Sequence, residues 1–214
     1  MHFPDEKISA YSESLSQEET AVLAELNRET HAKVLMPQML SGGLQGRILA
    51  MYSRMLKPRR ILEIGTFTGY SAICLCEGLA SDGKLYTIDI NEELEDMVRK
   101  YIRKAGLDDR IDYRIGNALD ILPGMDEQFD LVFIDADKEN YSNYYDLVFD
   151  KVKTGGYIIA DNVLWSGKIL DDPSKMDVDT KALYDYSHKV KADPRVETLL
   201  LPVRDGMMLA QKIV

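Results

Sequence analysis

Four short apolar runs in this chain each stop at a residue that could do chemistry: Ile61-Leu62-Glu63-Ile64 at Gly65, Leu85-Tyr86-Thr87-Ile88 at Asp89, Leu131-Val132-Phe133-Ile134 at Asp135, and Tyr157-Ile158-Ile159-Ala160 at Asp161. If the runs are strands of an open parallel sheet, these residues fall where ligands bind, beyond the carboxyl ends of the strands. Three acids gathered there repel one another, a cost that a cation or a hydroxyl-rich ligand offsets. The loop after the first run, Glu63-Ile64-Gly65-Thr66-Phe67-Thr68-Gly69, has glycines suited to a tight turn and a close backbone approach by a ligand. It lacks both the GxGxxG spacing of dinucleotide sites and the Gly-Lys-Ser/Thr of phosphate loops, which suits a nucleoside cofactor carrying no phosphate. Asp89 stands where an acid accepts hydrogen bonds from ribose hydroxyls. Taken singly, the glycines shape a turn and Asp89 caps the next helix; together the spacing favours the cofactor. The second constellation is Asp135-Ala136-Asp137-Lys138 with Asp161-Asn162. Two carboxylates and an amide oxygen form a hard, oxygen-only donor set that suits Mg, Mn or Ca and not zinc. The plainer alternative makes Asp161-Asn162 a turn and capping pair. His2, His31 and His188 lie away from these run ends, which disfavours a histidine triad or a zinc site.

The elements that must position these residues alternate. Ser16 with Glu19 has capping-box spacing, and Val22, Leu23, Leu26 and Val34 predict an amphipathic helix after it. A second helix is predicted over Leu44–Leu56, ended by Pro58. Helices are then expected over Tyr70–Leu79, Glu92–Ala105 and Asn140–Val152, with a further strand over Ile111–Ile115 and a chain reversal at Gly155-Gly156. Thr198–Val203 and Met207–Ile213 flank Arg204-Asp205-Gly206 and predict a hairpin, hence an antiparallel last strand. The pattern implies an α/β fold: a doubly wound, Rossmann-like seven-stranded sheet, mostly parallel, with an antiparallel C-terminal hairpin strand.

Composition bounds the rest. The 214 residues include 26 basic and 36 acidic side chains, a formal net charge of -10, with 45% hydrophobic residues. A chain of this size buries roughly 70% of its unfolded surface, enough for one well-cored domain. No Pro/Gly/Ser-rich linker divides it, so residues 1–214 are expected to form one domain. The charge opposes non-specific binding to nucleic acid or anionic membranes. Cys74 and Cys76 are too close in sequence for an ordinary disulfide and fall in an apolar run, as buried free thiols do. Met1–Ala10 lacks a secretory pattern, and no apolar run approaches the ~20 residues that span a bilayer. A soluble, cytoplasmic protein is expected.

The stretch from Leu62 to Leu164 resembles the metal-dependent class I O-methyltransferases of the caffeoyl-CoA and catechol O-methyltransferase group. The matching pieces are LEIGTFTGYS, YTIDIN, FIDADKENY and GGYIIADNVLW, and a weaker match continues through DPRVETLLLPVRDGM. DADK followed by DN before LW is the specific part.

The resemblance implies S-adenosylmethionine (SAM) as cofactor, with Glu63, Gly65 and Ser71 around its methionine portion, Asp89 on the ribose, and Asn117 and Ala118 along the adenine. Met39 matches a position whose backbone touches the cofactor; a core methionine is the plainer reading. The implied metal ligands are Asp135, Asp161 and Asn162, with Asp135 and Asp137 also approaching the cofactor. Lys138 matches a lysine acting as general base, and Trp165 an aromatic facing the substrate. The resemblance also implies a homodimer and N-terminal helices, residues 1–57, that cover the active site. Ser166 departs from the asparagine of the plant enzymes, and Gly167–Thr180, which would line the acceptor site, does not align. The expected activity is methyl transfer from SAM to a catechol-like or other vicinal-oxygen small molecule. A hydroxylated tRNA base is the competing acceptor, through the basic cluster Arg54, Lys57, Arg59 and Arg60. A non-catalytic SAM-binding domain is the reading from another class, and the complete metal set with Lys138 argues against it.

Overall fold

The structure, a computed structural model, describes residues 6–214; His2 and the start of the Met1–Ala10 segment lie outside the described residues. Two compact units divide the chain, Ser9–Asn117 and Ala118–Val214, the latter joined by the described residues before Ser9.

Helix α1 (Glu6–Ser14) opens the described chain. In α2 (Ala21–Lys33) the buried residues Leu23, Leu26 and Thr30 share one face at helical spacing. Its cap is Thr20, whose hydroxyl accepts from Leu23 N at 3.4 Å, and not Ser16, which donates to Ser12 O at 2.7 Å. Glu19 is taken by tertiary contacts instead: it accepts from Asn27 Nδ2 at 3.0 Å and from the Tyr70 hydroxyl at 2.5 Å. Helix α3 (Gly42–Leu56) ends at Lys57, which is left-handed before Pro58. Helix α4 (Tyr70–Cys76) is buried throughout and stops three residues short of the expected Leu79. The α3–α4 contact requires glycine. A Cβ on Gly78 would lie 2.0 Å from the Ser53 carbonyl carbon, and one on Gly46 would lie 2.7 Å from the Tyr70 ring.

Strands β1 (Arg60–Ile64), β2 (Lys84–Asp89) and β3 (Ile111–Ile115) run parallel in the order β3-β2-β1, with Ile64 opposite Ile88 and Asp89 opposite Ile115. The crossover from β2 to β3 holds α5 (Glu95–Lys104), preceded by a 3-10 turn at Glu92–Leu94 where continuous helix was expected. Glu25 and Glu29 of α2 bind Lys104 and Lys100 of α5, and Glu29 also accepts from the buried Tyr101 hydroxyl. Cys74 and Cys76 are free and buried, and burial pushes both thiols up to about 12.

The second unit begins with α6 (Ala118–Ile121) and then builds β4 (Phe129–Ile134), α7 (Tyr141–Phe149), β5 (Val152–Asp161), α8 (Val178–Ala192), β6 (Val196–Leu201) and β7 (Met207–Lys212). Its strand order is β4-β5-β7-β6; β4 and β5 are parallel, and β7 is antiparallel to both its neighbours. Gly155-Gly156 does not reverse the chain. It lies within β5, with Gly155 at φ +82°, where the register jumps from Phe129↔Val152 to Leu131↔Tyr157, so the extra residues form an irregularity in a continuous strand. Helix α8 is an addition to the sequence reading. Asp177 caps it by accepting from Thr180 N at 2.8 Å, and Tyr186 packs edge-on against Tyr141 of α7 with ring centres 5.5 Å apart. The seven strands among the described residues make the expected α/β, Rossmann-like class, mostly parallel with antiparallel C-terminal strands. No described helix is long and apolar enough to cross a membrane.

Candidate active site

In the unit Ser9–Asn117, Glu63, Gly65 and Asp89 lie where β1 and β2 end. Gly65 and Gly69 take φ of +98° and +88°, and Phe67 between them is also left-handed at +49°. Asp89 holds this turn: its carboxylate accepts from Phe67 N at 2.6 Å and from Asn91 N at 2.9 Å, fastening the β1 loop to the β2 loop. An ionised carboxylate offers about four acceptor positions, so Asp89 retains capacity for ligand hydroxyls. Glu63 is fully buried and accepts from the Thr87 hydroxyl at 2.5 Å; Thr87 and Thr66 share a second bond of 2.5 Å. Ser71 is buried in the first turn of α4, Met39 is 59% exposed, Asn117 is exposed, and Ala118, the first residue of the other unit, is buried. Met39 is thus not the core methionine of the plainer reading.

In the unit Ala118–Val214 the geometry is tighter. The Lys138 ammonium, with its side chain only 10% exposed, donates to Asp135 Oδ1 at 3.1 Å, to Asn162 Oδ1 at 2.9 Å and to the Tyr141 hydroxyl at 2.7 Å. Tyr141 in turn donates to the Asp161 carbonyl at 3.1 Å. Burial, with the nearby Asp135 and Asp161 carboxylates, pushes the Tyr141 phenol well above its ordinary range. Asp161 is 3% exposed, and Asn162, at φ +59°, turns the chain directly after it. Lys138 Nζ lies 5.7 Å from the Trp165 ring centre. Asp137 faces elsewhere, accepting from the Tyr144 hydroxyl and from Asn140.

This donor set fits a hard cation. Two oxygens from different strand ends, Asp135 Oδ1 and Asn162 Oδ1, already converge on one positively charged atom. The nearly sealed Asp161 directly precedes Asn162 in sequence, and every donor is oxygen. Among the described residues no group of three or more His, Cys, Asp or Glu is arranged to hold a metal ion; this set depends on the Asn162 amide. His31 and His188 are exposed on α2 and α8, each with Nδ1 against a carbonyl of its own helix.

The model of the O-methyltransferase family matches residues 13–213. The chain belongs to the O-methyltransferase family. Among its O-methyltransferase relatives, caffeoyl-CoA O-methyltransferase 1 of Eucalyptus globulus is 37% identical over 199 residues, 87% of this chain and 80% of that protein. Among solved structures, an SAH-bound methyltransferase from Podospora anserina superposes with a TM-score of 0.90 at 29% identity, covering 100% of this chain and 98% of that one. A SAM complex of an O-methyltransferase involved in tomaymycin synthesis in Streptomyces achromogenes gives 0.89 at 28% identity, covering 97% and 96%.

Several residues that hold this O-methyltransferase's candidate site were not singled out by sequence. Tyr141 and Tyr144 lie three and six residues after Lys138, so helical periodicity could have placed them on its face. Thr66 and Thr87 carried no signal, because their link to Glu63 joins two strands. Two members of the basic cluster meet carboxylates: Arg54 binds Glu77 at 2.7 Å and Arg59 approaches Asp82 at 3.6 Å.

Proposed function

We propose that this O-methyltransferase uses SAM and a divalent cation to methylate a catechol-like or other vicinal-oxygen small molecule. The observation that carries the proposal is the convergence of Asp135, Asn162 and Lys138 at 2.9–3.1 Å beside Trp165. The SAH and SAM bound to the two structural relatives, and the caffeoyl-CoA name of the sequence relative, support the cofactor and the acceptor class.

Asp135, Asp161 and Asn162 would hold the cation, whose chemistry when bound is to chelate adjacent acceptor oxygens and favour the phenolate. Glu63, Gly65, Ser71 and Asp89, with Met39 and Asn117, would hold the cofactor, and SAM would supply a sulfonium methyl. Lys138 Nζ would take the acceptor proton, with the oxygens of Asp135, Asn162 and Tyr141 placed to receive its N–H groups. Transfer of that methyl to the acceptor oxygen would leave the electron pair of the carbon–sulfur bond on sulfur. Trp165 supplies a flat wall for an aromatic acceptor. Fixed geometry contributes most of the rate, since both reactants are held and not collided.

The tRNA acceptor is the weaker reading, because Arg54 and Arg59 are engaged by carboxylates. Incubation with methyl-labelled SAM and two acceptor pools, small catechols and hydroxylated or unmodified tRNA, tests the assignment. Label in the catechol pool supports it; label only in hydroxylated tRNA replaces it.

A further inference from the structure

The loop after β5 is strained at the residue that faces Lys138. Trp165 and Ser166 are consecutive non-glycine residues at positive φ, +45° and +55°, and Asn162 three residues earlier is at +59°. Such conformations cost on the order of 1–3 kcal/mol each and persist only where the surroundings impose them. The imposing element is the turn between β6 and β7. Asp205 acts there twice: its backbone carbonyl accepts from Leu164 N at 2.8 Å, and its carboxylate Oδ1 accepts from Ser166 N at 2.5 Å. These two N–H groups bracket Trp165. Next to them Gly206 O accepts from Val163 N at 3.2 Å, and a Cβ on Gly206 would lie 2.4 Å from Leu164 Cγ. The turn therefore sits directly on the strained loop. Burial pushes the Asp205 carboxyl above its ordinary range, against the lowering effects of the Ser166 N–H and of the charges on Lys138 and Arg204.

We propose that Asp205 is a positioning residue that clamps the 164–166 backbone so that the Trp165 ring stands over Lys138 Nζ, and that this clamp gives the site its preference for planar aromatic acceptors. The preference rests on the function proposed above, whereas the clamp is a property of the fold alone. A ring whose two flanking residues, Leu164 and Ser166, are both tied to Asp205 presents one flat face to an acceptor. Without the Ser166–Asp205 bond, Ser166 and Trp165 are free to return to right-handed or extended backbone, and the ring leaves its place beside Lys138.

Trp165 is the only tryptophan, so its emission reports the clamp without any assay of activity. The variants are Asp205→Ala, which removes the carboxylate acceptor, Asp205→Asn, which keeps an Oδ1 acceptor without the charge, and Gly206→Ala, which presses on Leu164. In Asp205→Ala the Trp165 emission should shift to the red and become more accessible to acrylamide. The KM for catechol should rise on the order of 10-fold, with SAM affinity within roughly twofold of the parent. Asp205→Asn should restore emission and KM, and Gly206→Ala should disturb the emission as Asp205→Ala does. Circular dichroism separates these changes from loss of fold, and the Asn variant carries the comparison if the Ala variant does not fold. Parental emission in Asp205→Ala, or an Asn variant that matches Ala in emission, overturns the clamp. A shifted emission with unchanged acceptor KM overturns the link to selectivity. If the parent methylates no catechol, the proposed function fails, while the emission comparison still decides the clamp.

Discussion

Replacing Lys138 by alanine separates the chemistry of this site from its stability. The side chain makes three hydrogen bonds, at 3.1, 2.9 and 2.7 Å, and is 10% exposed. Charge-assisted bonds contribute about 1.5–3 kcal/mol each when partners are left unsatisfied. Two of the three partners are not stranded. Asp135, with 22% of its side chain exposed, can rehydrate, and the Tyr141 hydroxyl keeps its bond to the Asp161 carbonyl. The net loss should therefore resemble about one such bond, ~1–3 kcal/mol, and Tm should fall by roughly 2–4 °C per kcal/mol for a chain of this size. If Lys138 accepts the acceptor proton, kcat should fall by roughly 10²–10⁴-fold, far more than the stability change explains. SAM affinity should stay near the parent value, because Lys138 itself is not among the residues expected to hold the cofactor. The assay is kcat against acceptor pKa for a series of substituted catechols at fixed Mg, with Tm measured in parallel. The loss should shrink as the acceptor becomes more acidic. Two parallel lines with little offset would refute the base, leaving Lys138 as a residue that only orders Asp135 and Asn162.

Three further predictions follow from other parts of the fold. Asp89→Ala should weaken SAM binding by about 1–3 kcal/mol in calorimetry, since it removes both the proposed ribose acceptor and the tie to Phe67 N and Asn91 N; unchanged affinity would remove Asp89 from the proposed cofactor site. Gly78→Ala should lower Tm more than Gly46→Ala, because the Gly78 neighbours are Ser53 and Arg54 backbone, whereas those of Gly46 are the side chains of Tyr70 and Cys74; the reverse order would contradict the α3–α4 packing. Glu29, bonded first to Lys100 and then to Tyr101 and Lys33, has its carboxyl lowered to about 2. Its folded pKa lies below its unfolded one, so its stabilisation is full above about pH 4.3 and is lost as pH falls toward 2. The Tm gap between the parent and Glu29→Gln should accordingly close over that window, and a constant gap would exclude the linkage.

The strand ends are legible in the sequence because each apolar run stops at Gly65, Asp89, Asp135 or Asp161, and burial on both faces makes parallel strands read as continuous apolar runs. The glycine loop is legible for the same reason that it is needed, its positive φ at Gly65 and Gly69. Helix α8 is harder to see. Its buried positions Thr180, Leu183, Tyr186 and Val190 do recur at helical spacing, but a threonine opens the series, and Val178, Ala182 and Tyr184 lie off that face and blur the pattern. Asp177 before Thr180 was the usable signal. Glu19 misleads because its spacing from Ser16 fits a capping box, while its bonds go to Asn27 and to distant Tyr70. Gly155-Gly156 misleads because the same pair that turns a chain also bends a strand. At the site, the residue types were readable from DADK and DN. That the Lys138 ammonium sits on Asn162, 24 positions away, depends on how β4 and β5 pair, and no local pattern contains it.

The central claim is metal-assisted methyl transfer carried by Asp135, Asp161, Asn162 and Lys138. The most direct test is transfer from methyl-labelled SAM to catechol by the purified protein, before and after exhaustive chelation and again after Mg or Mn is restored. The account predicts a labelled monomethyl ether whose formation stops on chelation and returns with the metal. Undiminished transfer in metal-free protein would contradict it.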